Sequence, residues 1–206
     1  MSRRRSFAAS ASWLARAKRV IPSASQTYSK SYRYYCEGAA PAFLERGRGS
    51  HVWDVDGNEY IDFLLALGPI TLGYNDPVVN EAIERQLRKG IIFSQPCTLE
   101  VELAERLIEI VPCAEMVRFV KNGSDATAAA VRLARAYTGR DLVLSCGYHG
   151  MQDWYIGSSE NNLGVPESVQ SLIKTFPYDD ADALAALLEQ HHGDVAAIIL
   201  EPVRAE

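Results

Sequence analysis

From Asn75 onward the sequence alternates between helical and strand-like apolar patterns, and this alternation restricts the fold more than any other feature. Asp76-Pro77 reads as a cap followed by proline at the first helical position, and Gly90 closes that helix. Near Thr98 a second helix begins, with Leu99, Leu103, Leu107 and Ile110 along one side until Pro112. Strand Val117–Lys121, a helix from Ser124 to Tyr137, strand Leu142–Cys146, a helix from about Asp180 to Gln190 and strand Ala196–Leu200 follow. Strands separated by helices predict an α/β fold with a mainly parallel sheet covered on both faces. Ligands of such sheets gather beyond the carboxyl ends of the strands. Asn122–Asp125, Gly147–Gly150 and Glu201–Pro202 are therefore the stretches to inspect.

The part before Asn75 is different. "MSRRRSFAASASWLARAKRV" is rich in Arg, Ser and Ala and lacks acids, a composition similar to a transit peptide. Trp13, Leu14, Ala17 and Val20 nevertheless share one helical face, and Pro22 stops it. The preferred reading is a surface helix after a short disordered tail. "HVWDVDGNEYIDF" predicts a hairpin: Trp53 and Val55 alternate, Asp56-Gly57-Asn58 turns, and a second strand runs through Ile61 and Phe63. Asp54, Asp56 and Asn58 imitate the opening of a calcium loop. Glu59 stands where that loop needs glycine and Leu65 where it needs a bidentate glutamate, so the reading is a turn.

A net charge of -5 gives no general electrostatic case for nucleic acid, and no apolar run approaches a membrane span. Cys36, Cys97, Cys113 and Cys146 form no CxxC pair and no zinc-type spacing, which favours reduced thiols in a cytoplasmic protein and no metal site. His191-His192 follows a helix pattern and reads as a solvated helix end.

At the first strand end, Gly123 lets backbone approach a ligand, and the helix behind it offers unpaired amides and a positive dipole end. Ser124 adds a hydroxyl. No GxxxxGK[ST] or GxGxxG occurs, so a cradle for a single phosphate fits better than a diphosphate clamp. Read alone, a helix capped by Ser124 with no ligand is the simpler account. Asp125 would repel a phosphate if it pointed inward and is expected to point aside. At the second end, "GYHG" brackets an aromatic and an imidazole with glycines: Tyr148 can lie against a planar ring, and His149 can donate a hydrogen bond or hold a water. A buried tyrosine and a satisfied histidine in a tight turn compete with that reading. At the third, Glu201 leaves an apolar strand and is stopped by Pro202; emergence into solvent is the alternative. A phosphate cradle, a stacking aromatic and an oriented carboxylate together describe a pocket for pyridoxal 5'-phosphate (PLP).

"RAKRVIP", "VWDVDGNEYIDF", "LGPITLGYNDP", "MVRFVKNGSDATAAAVRLARAYTGRD", "GYHG" and "AAIILEPV" resemble the N-terminal half of a class III, fold type I, PLP-dependent aminotransferase. The glutamate-1-semialdehyde aminomutase branch is the most similar. The resemblance implies that Gly123 and Ser124 contact the cofactor phosphate, that Tyr148 stacks on the pyridine ring with His149 nearby, and that Glu201 orders the pocket. It implies two segments: 1–74, an N-terminal helix and hairpin belonging to the small domain, and 75–206, the first part of the large PLP-binding α/β domain. It also implies a homodimer acting on a small-molecule amino donor and a carbonyl acceptor, with the Gly68–Asn75 stretch suited to the interface.

Two departures bear on the substrate. Lys30 in "VIPSASQTYSK" stands where the aminomutase has an arginine for the substrate carboxylate, and lysine is a point charge rather than a fork. The stretch after Gly150 is shorter than the aminomutase's gating loop, which favours an ordinary aminotransferase acting on a small aldehyde, keto acid or sugar-like acceptor. Aminomutase activity is the alternative. The family's Schiff-base lysine and the aspartate that pairs with its pyridine nitrogen are expected beyond Glu206. Lys18, Lys30, Lys89, Lys121 and Lys174 stand in other contexts, so no catalytic residue is assigned within this chain. The chain reads as a fragment of a longer enzyme, inactive alone. A phosphate-ligand-binding protein without chemistry, or a dimer partner, is a further alternative.

Overall fold

The computed structural model describes residues 5–203. The chain divides into two compact units, Met1–Cys97 and Thr98–Glu206.

In the first unit, helix α1 (Ala8–Val20) buries Leu14 and Ala17, which join Ala24 in a small core packed by Tyr32, Ala42 and Phe43. The expected apolar face is narrower than the sequence pattern. Val20 is 77% exposed, and the exposed Trp13 ring lies under the Arg16 guanidinium, 4.1 Å from its centroid. The tail expected before the helix falls, at residues 1–4, outside the described residues. Lys30 ends the 3-10 turn Tyr28–Lys30 and is exposed.

Strands β1 (Leu44–Arg48), β2 (His51–Asp54) and β3 (Glu59–Ile61) form an antiparallel sheet in that order. The hairpin is present, but its buried positions are Val52 and Asp54 rather than Trp53 and Val55. Val55 lies past the strand, Trp53 packs under the Arg46 guanidinium at 3.7 Å, and Phe63 follows β3 with 88% exposure. A buried carboxylate reverses the expected phase because its oxygens are fully employed. Asp54 Oδ1 accepts from the Asp56 and Asn58 amides (3.0 and 2.8 Å), and Oδ2 from Asn58 Nδ2 and the Tyr60 hydroxyl (2.8 Å each). Burial and the Asp54 carboxylate push the Tyr60 pKa up to about 12. Helix α2 (Pro77–Leu87) starts where expected: Asp76 Oδ1 accepts from the Val78 and Val79 amides.

The second unit opens with helix α3 (Thr98–Ile110), followed by α4 (Gly123–Thr138), β4 (Leu142–Cys146), α5 (Asp153–Ile156), α6 (Glu167–Gln170), β5 (Ile173–Thr175), α7 (Ala181–Gln190) and β6 (Val195–Leu200). Its sheet is parallel, in the order β5-β4-β6, and every residue of the central β4 is buried. Val143 packs with Val131 of α4, Trp154 of α5 and Ile173 of β5, while Leu144 is sealed on the opposite face. Helix α7 keeps the bounds the sequence implied to within a residue; Asp180 proves to be its cap, accepting from the Ala183 amide, and His191 ends it.

Val117–Lys121 is not a strand. The alternation of Val117, Phe119 and Lys121 is real, but no ladder partner pairs with it among the described residues, and a strand exists only through its partner. Strands β1 and β5 and the four-residue helices α5 and α6 were not expected: β1 (LERGR) is exposed along most of its length and carries no apolar pattern, and the others are too short to display a period.

One contact orients α1. Its first residues lack a cap of their own, and Asp56 in the hairpin turn supplies one: Oδ1 accepts from Ala9 N and Oδ2 from Ser10 N, both at 2.8 Å. Burial alone would raise the Asp56 pKa, but the Ser10 and Ala9 hydrogen bonds outweigh it and hold the carboxyl below its usual range. Because the folded pKa is depressed, this stabilisation is present above the ordinary aspartate pKa of about 3.9 and fades as pH falls through the folded value. Asp56→Ala is expected to cost about 0.5–2 kcal/mol in denaturant unfolding near neutral pH. The gap from the parent protein should narrow below about pH 4; a gap of constant size across that range would refute the cap.

Candidate functional site

The second unit brings the three stretches together: Gly147–Gly150 opens the turn Gly147–Gln152, and the start of α4 and Glu201 are hydrogen-bonded to it from either side. Asn122, not Ser124, is the N-cap of α4: its Oδ1 accepts from the Asp125 amide at 3.0 Å. Asparagine is as good a cap as serine, and here it stands one residue before the helix. Ser124, inside the first turn, is thereby released, and its Oγ accepts from the Met151 amide at 3.1 Å. The amides of Gly123 and Ser124 are the first two of the helix and have no partner within it. A Cβ added to Gly123 would meet no protein atom within 4 Å. The space in front of this helix start is open.

Asp125 is held aside, as expected. Its Oδ2 accepts from Asn122 Nδ2 at 2.9 Å and its Oδ1 from Gln152 Nε2 at 3.1 Å.

The other end of the turn rests on β6. Glu201 follows that strand, its amide donates to the Cys146 carbonyl at 3.1 Å, and its Oε2 accepts from the Tyr148 amide at 3.2 Å. The Glu201 carboxylate thus turns back onto the turn instead of emerging into solvent. Two glycines make the close fit possible. Gly147 has φ +95° and a Cβ there would lie 2.5 Å from Glu201 Oε2; Gly150 has φ +110° and a Cβ there would lie 2.8 Å from Ser124 Cα.

Tyr148 and His149 point in different directions. Tyr148 is 66% exposed, with its ring edge-on to Tyr155 (centroids 5.7 Å apart, planes at 86°). His149 is buried, 6.3 Å from the Trp154 ring and nearly parallel to it, with Nε2 2.9 Å from the Cys146 carbonyl oxygen. A carbonyl only accepts, so Nε2 carries a proton. The histidine is satisfied inside the turn, the plainer of its two sequence readings. Thr127, which the sequence did not single out, donates from Oγ1 to the His149 carbonyl at 2.7 Å and ties α4 to the turn. Tyr155 donates to the Gly147 carbonyl at 3.0 Å. These supports carried no sequence signal, because a threonine on an Ala-rich helix and a tyrosine beside a tryptophan read as packing.

Gly123, Ser124, Tyr148, His149 and Glu201 therefore share one construction. Lys30 lies in the other unit. Among the described residues, no group of His, Cys, Asp and Glu has the geometry to hold a metal ion.

Known proteins share this arrangement of chain. The family described as Aminotransferase class-III matches residues 34–206. Over 202 residues the chain is 44% identical to the glutamate-1-semialdehyde 2,1-aminomutase of Chloroflexus aurantiacus, covering 93% of this chain and 45% of that protein. It is 40% identical over 204 residues to the 3-aminobutyryl-CoA aminotransferase of Cloacimonas acidaminovorans, covering 98% and 48% respectively. The PLP internal aldimine form of the FumI protein of Sphingopyxis sp. MTA144 superposes with a TM-score of 0.88 at 35% identity, over 96% of this chain and 47% of that one. The chain belongs to the class III aminotransferase family, and its fold is that of the fold type I PLP-dependent transferases. It spans about half the length of the curated relatives it matches.

The fit of the turn predicts an order of damage. A Cβ at Gly147 would press on the end of a flexible glutamate, whereas one at Gly150 would press on the Ser124 backbone. Gly150→Ala should therefore lower stability by about 1–3 kcal/mol, the range for a residue forced into a sparsely populated conformation, and by more than Gly147→Ala. Equal unfolding midpoints for the two variants would show that the turn is not held against α4.

Proposed function

We propose that the protein takes part in PLP-dependent transamination between a small-molecule amino donor and a carbonyl acceptor, and that this chain contributes the phosphate- and ring-binding face of the cofactor site. The observation that carries the proposal is the single turn that joins Ser124, Tyr148 and Glu201. In this reading the free Gly123 and Ser124 amides and the positive end of α4 receive the phosphate, and the Ser124 hydroxyl adds a donor. The lone pair that Ser124 gives to Met151 N–H leaves its own proton available. Tyr148 offers an exposed aromatic face to the pyridine ring. Glu201 and His149 hold the turn to which Tyr148 belongs. PLP, when bound, supplies the aldehyde that captures amines and the ring that withdraws electrons from the substrate carbon.

The acceptor is read as a small aldehyde, keto acid or sugar-like carbonyl, with the exposed Lys30 as the substrate-binding cation. The second reading is glutamate-1-semialdehyde 2,1-aminomutase, favoured by the 44% identity to the Chloroflexus protein. The location is read as cytoplasmic. Gly68–Asn75 leaves Leu72 71% exposed, which accords with a homodimer interface along that stretch. The lysines of the second unit, Lys121 and Lys174, are exposed on a turn and on β5, so the reactive lysine is assigned to the remainder of the enzyme.

Two experiments test the reading. Gly123→Val places its side chain in open space, so the variant should fold like the parent while binding PLP at least about tenfold more weakly. Unchanged affinity would remove the cradle. Residues 1–206, once confirmed folded, should transfer no amino group to any keto acid or aldehyde. Adding the remainder of the enzyme should restore transfer in a species that sediments as a dimer; robust transfer by 1–206 alone would defeat this placement of the chemistry.

A further inference from the structure

We propose that Tyr155 is a positioning residue that sets the angle at which Tyr148 presents its ring to a bound pyridine. The inference rests on the reading of Tyr148 as the ring-stacking residue. Tyr148 is largely exposed, and an exposed tyrosine samples several rotamers unless something holds it. Tyr155 supplies the hold. It belongs to the short helix α5 and packs against the Val131, Val143, Trp154 and Ile173 core, so its own ring is fixed. From there it meets Tyr148 edge to face at 5.7 Å and 86°, and His149 edge to face at 5.5 Å and 83°. Its hydroxyl donates to the Gly147 carbonyl, the residue before Tyr148, at 3.0 Å. Tyr155 thus grips both the backbone and the ring of the stacking residue, and its ring stands nearly perpendicular to that ring rather than stacked on it. The edge-to-face arrangement is the favoured one because the positive ring edge meets the negative ring face. A ring already held at its binding angle loses less side-chain freedom when a ligand stacks on it.

The role separates ring recognition from phosphate recognition, and two probes read the two apart. Pyridoxine 5'-phosphate carries the ring and the phosphate but no aldehyde, so its binding needs no lysine; inorganic phosphate carries the anion alone. In the full chain, Tyr155→Leu removes the aromatic ring, and Tyr155→Phe keeps the ring and removes only the hydroxyl. Tyr155→Leu is expected to weaken pyridoxine 5'-phosphate about three- to tenfold, the worth of one aromatic pair, and to leave inorganic phosphate within about twofold. Tyr155→Phe is expected to keep both probes within about twofold of the parent. In a Tyr148→Ala background the Tyr155→Leu effect should vanish. Should Tyr155→Leu fail to fold, Tyr155→Met takes its place, since a flexible thioether fills the gap without a ring. The proposal is overturned if Tyr155→Leu leaves both probes unchanged, if it weakens both equally, or if its effect persists without Tyr148. Failure of the parent protein to bind pyridoxine 5'-phosphate at all would instead overturn the cofactor reading on which the inference stands.

Discussion

The Gly147–Gln152 turn is suspended between two side-chain oxygens, Glu201 Oε2 on the Tyr148 amide and Ser124 Oγ on the Met151 amide. These two bonds set where the start of α4, the end of β4 and the end of β6 lie relative to one another. Neither bond could form with ordinary residues at Gly147 and Gly150, since a Cβ would occupy the space in which the acceptors sit. The glycines therefore act through proximity as much as through their positive φ. Buried support comes from behind: His149 closes on the Cys146 carbonyl, and Thr127 closes on His149. The turn is a loop by appearance, yet its polar groups are accounted for as in a regular element.

This construction explains why the candidate site was legible in part in the sequence. Glycines flanking an aromatic after an apolar strand, and a polar glycine-containing turn before a helix, are local patterns with local physical causes. They single out Gly123, Ser124, Tyr148 and Glu201 as candidates, and the structure places these at one turn. What the sequence could not give was direction. His149 and Tyr148 are neighbours, and nothing in a two-residue stretch tells which ring faces the core; the Cys146 carbonyl and Trp154 decide it. The cap of α4 also moved from Ser124 to Asn122, because both residue types cap well and only the backbone fixes which one precedes the first helical residue.

The fold was legible to a similar depth. Strand β4 matches its expected bounds because a strand buried on both faces is a nearly continuous apolar run, interrupted here only by Ser145. Helices α2, α4 and α7 announce themselves by caps and spacing. Segments of three or four residues do not, and β5, α5 and α6 exist through their neighbours rather than through their own period. Val117–Lys121 is the opposite failure, a good pattern without a partner. In the first unit, Asp54 defeated the hairpin phase because a carboxylate with four donors behaves as a core residue, which no hydropathy pattern conveys.

Asp125 poses the remaining electrostatic question, for an acid in the first turn of α4 both helps the helix and opposes an anion in front of it. The helix benefits because a negative charge near its N-terminus complements the macrodipole. The opposition depends on where the carboxylate spends its hydrogen-bonding capacity. Here one oxygen takes the Asn122 side-chain amide and the other takes Gln152, while the Asp125 backbone amide is itself engaged by the Asn122 cap. Asn122 and Asp125 thus satisfy each other twice, and Gln152 draws the second oxygen toward α5. The amides that stay open at the helix start are those of Gly123 and Ser124, which carry no charged side chain. Polarity at this helix start is divided by position: the acid is tied to neutral amides at the third residue, and the amides of the first two keep no partner within the helix.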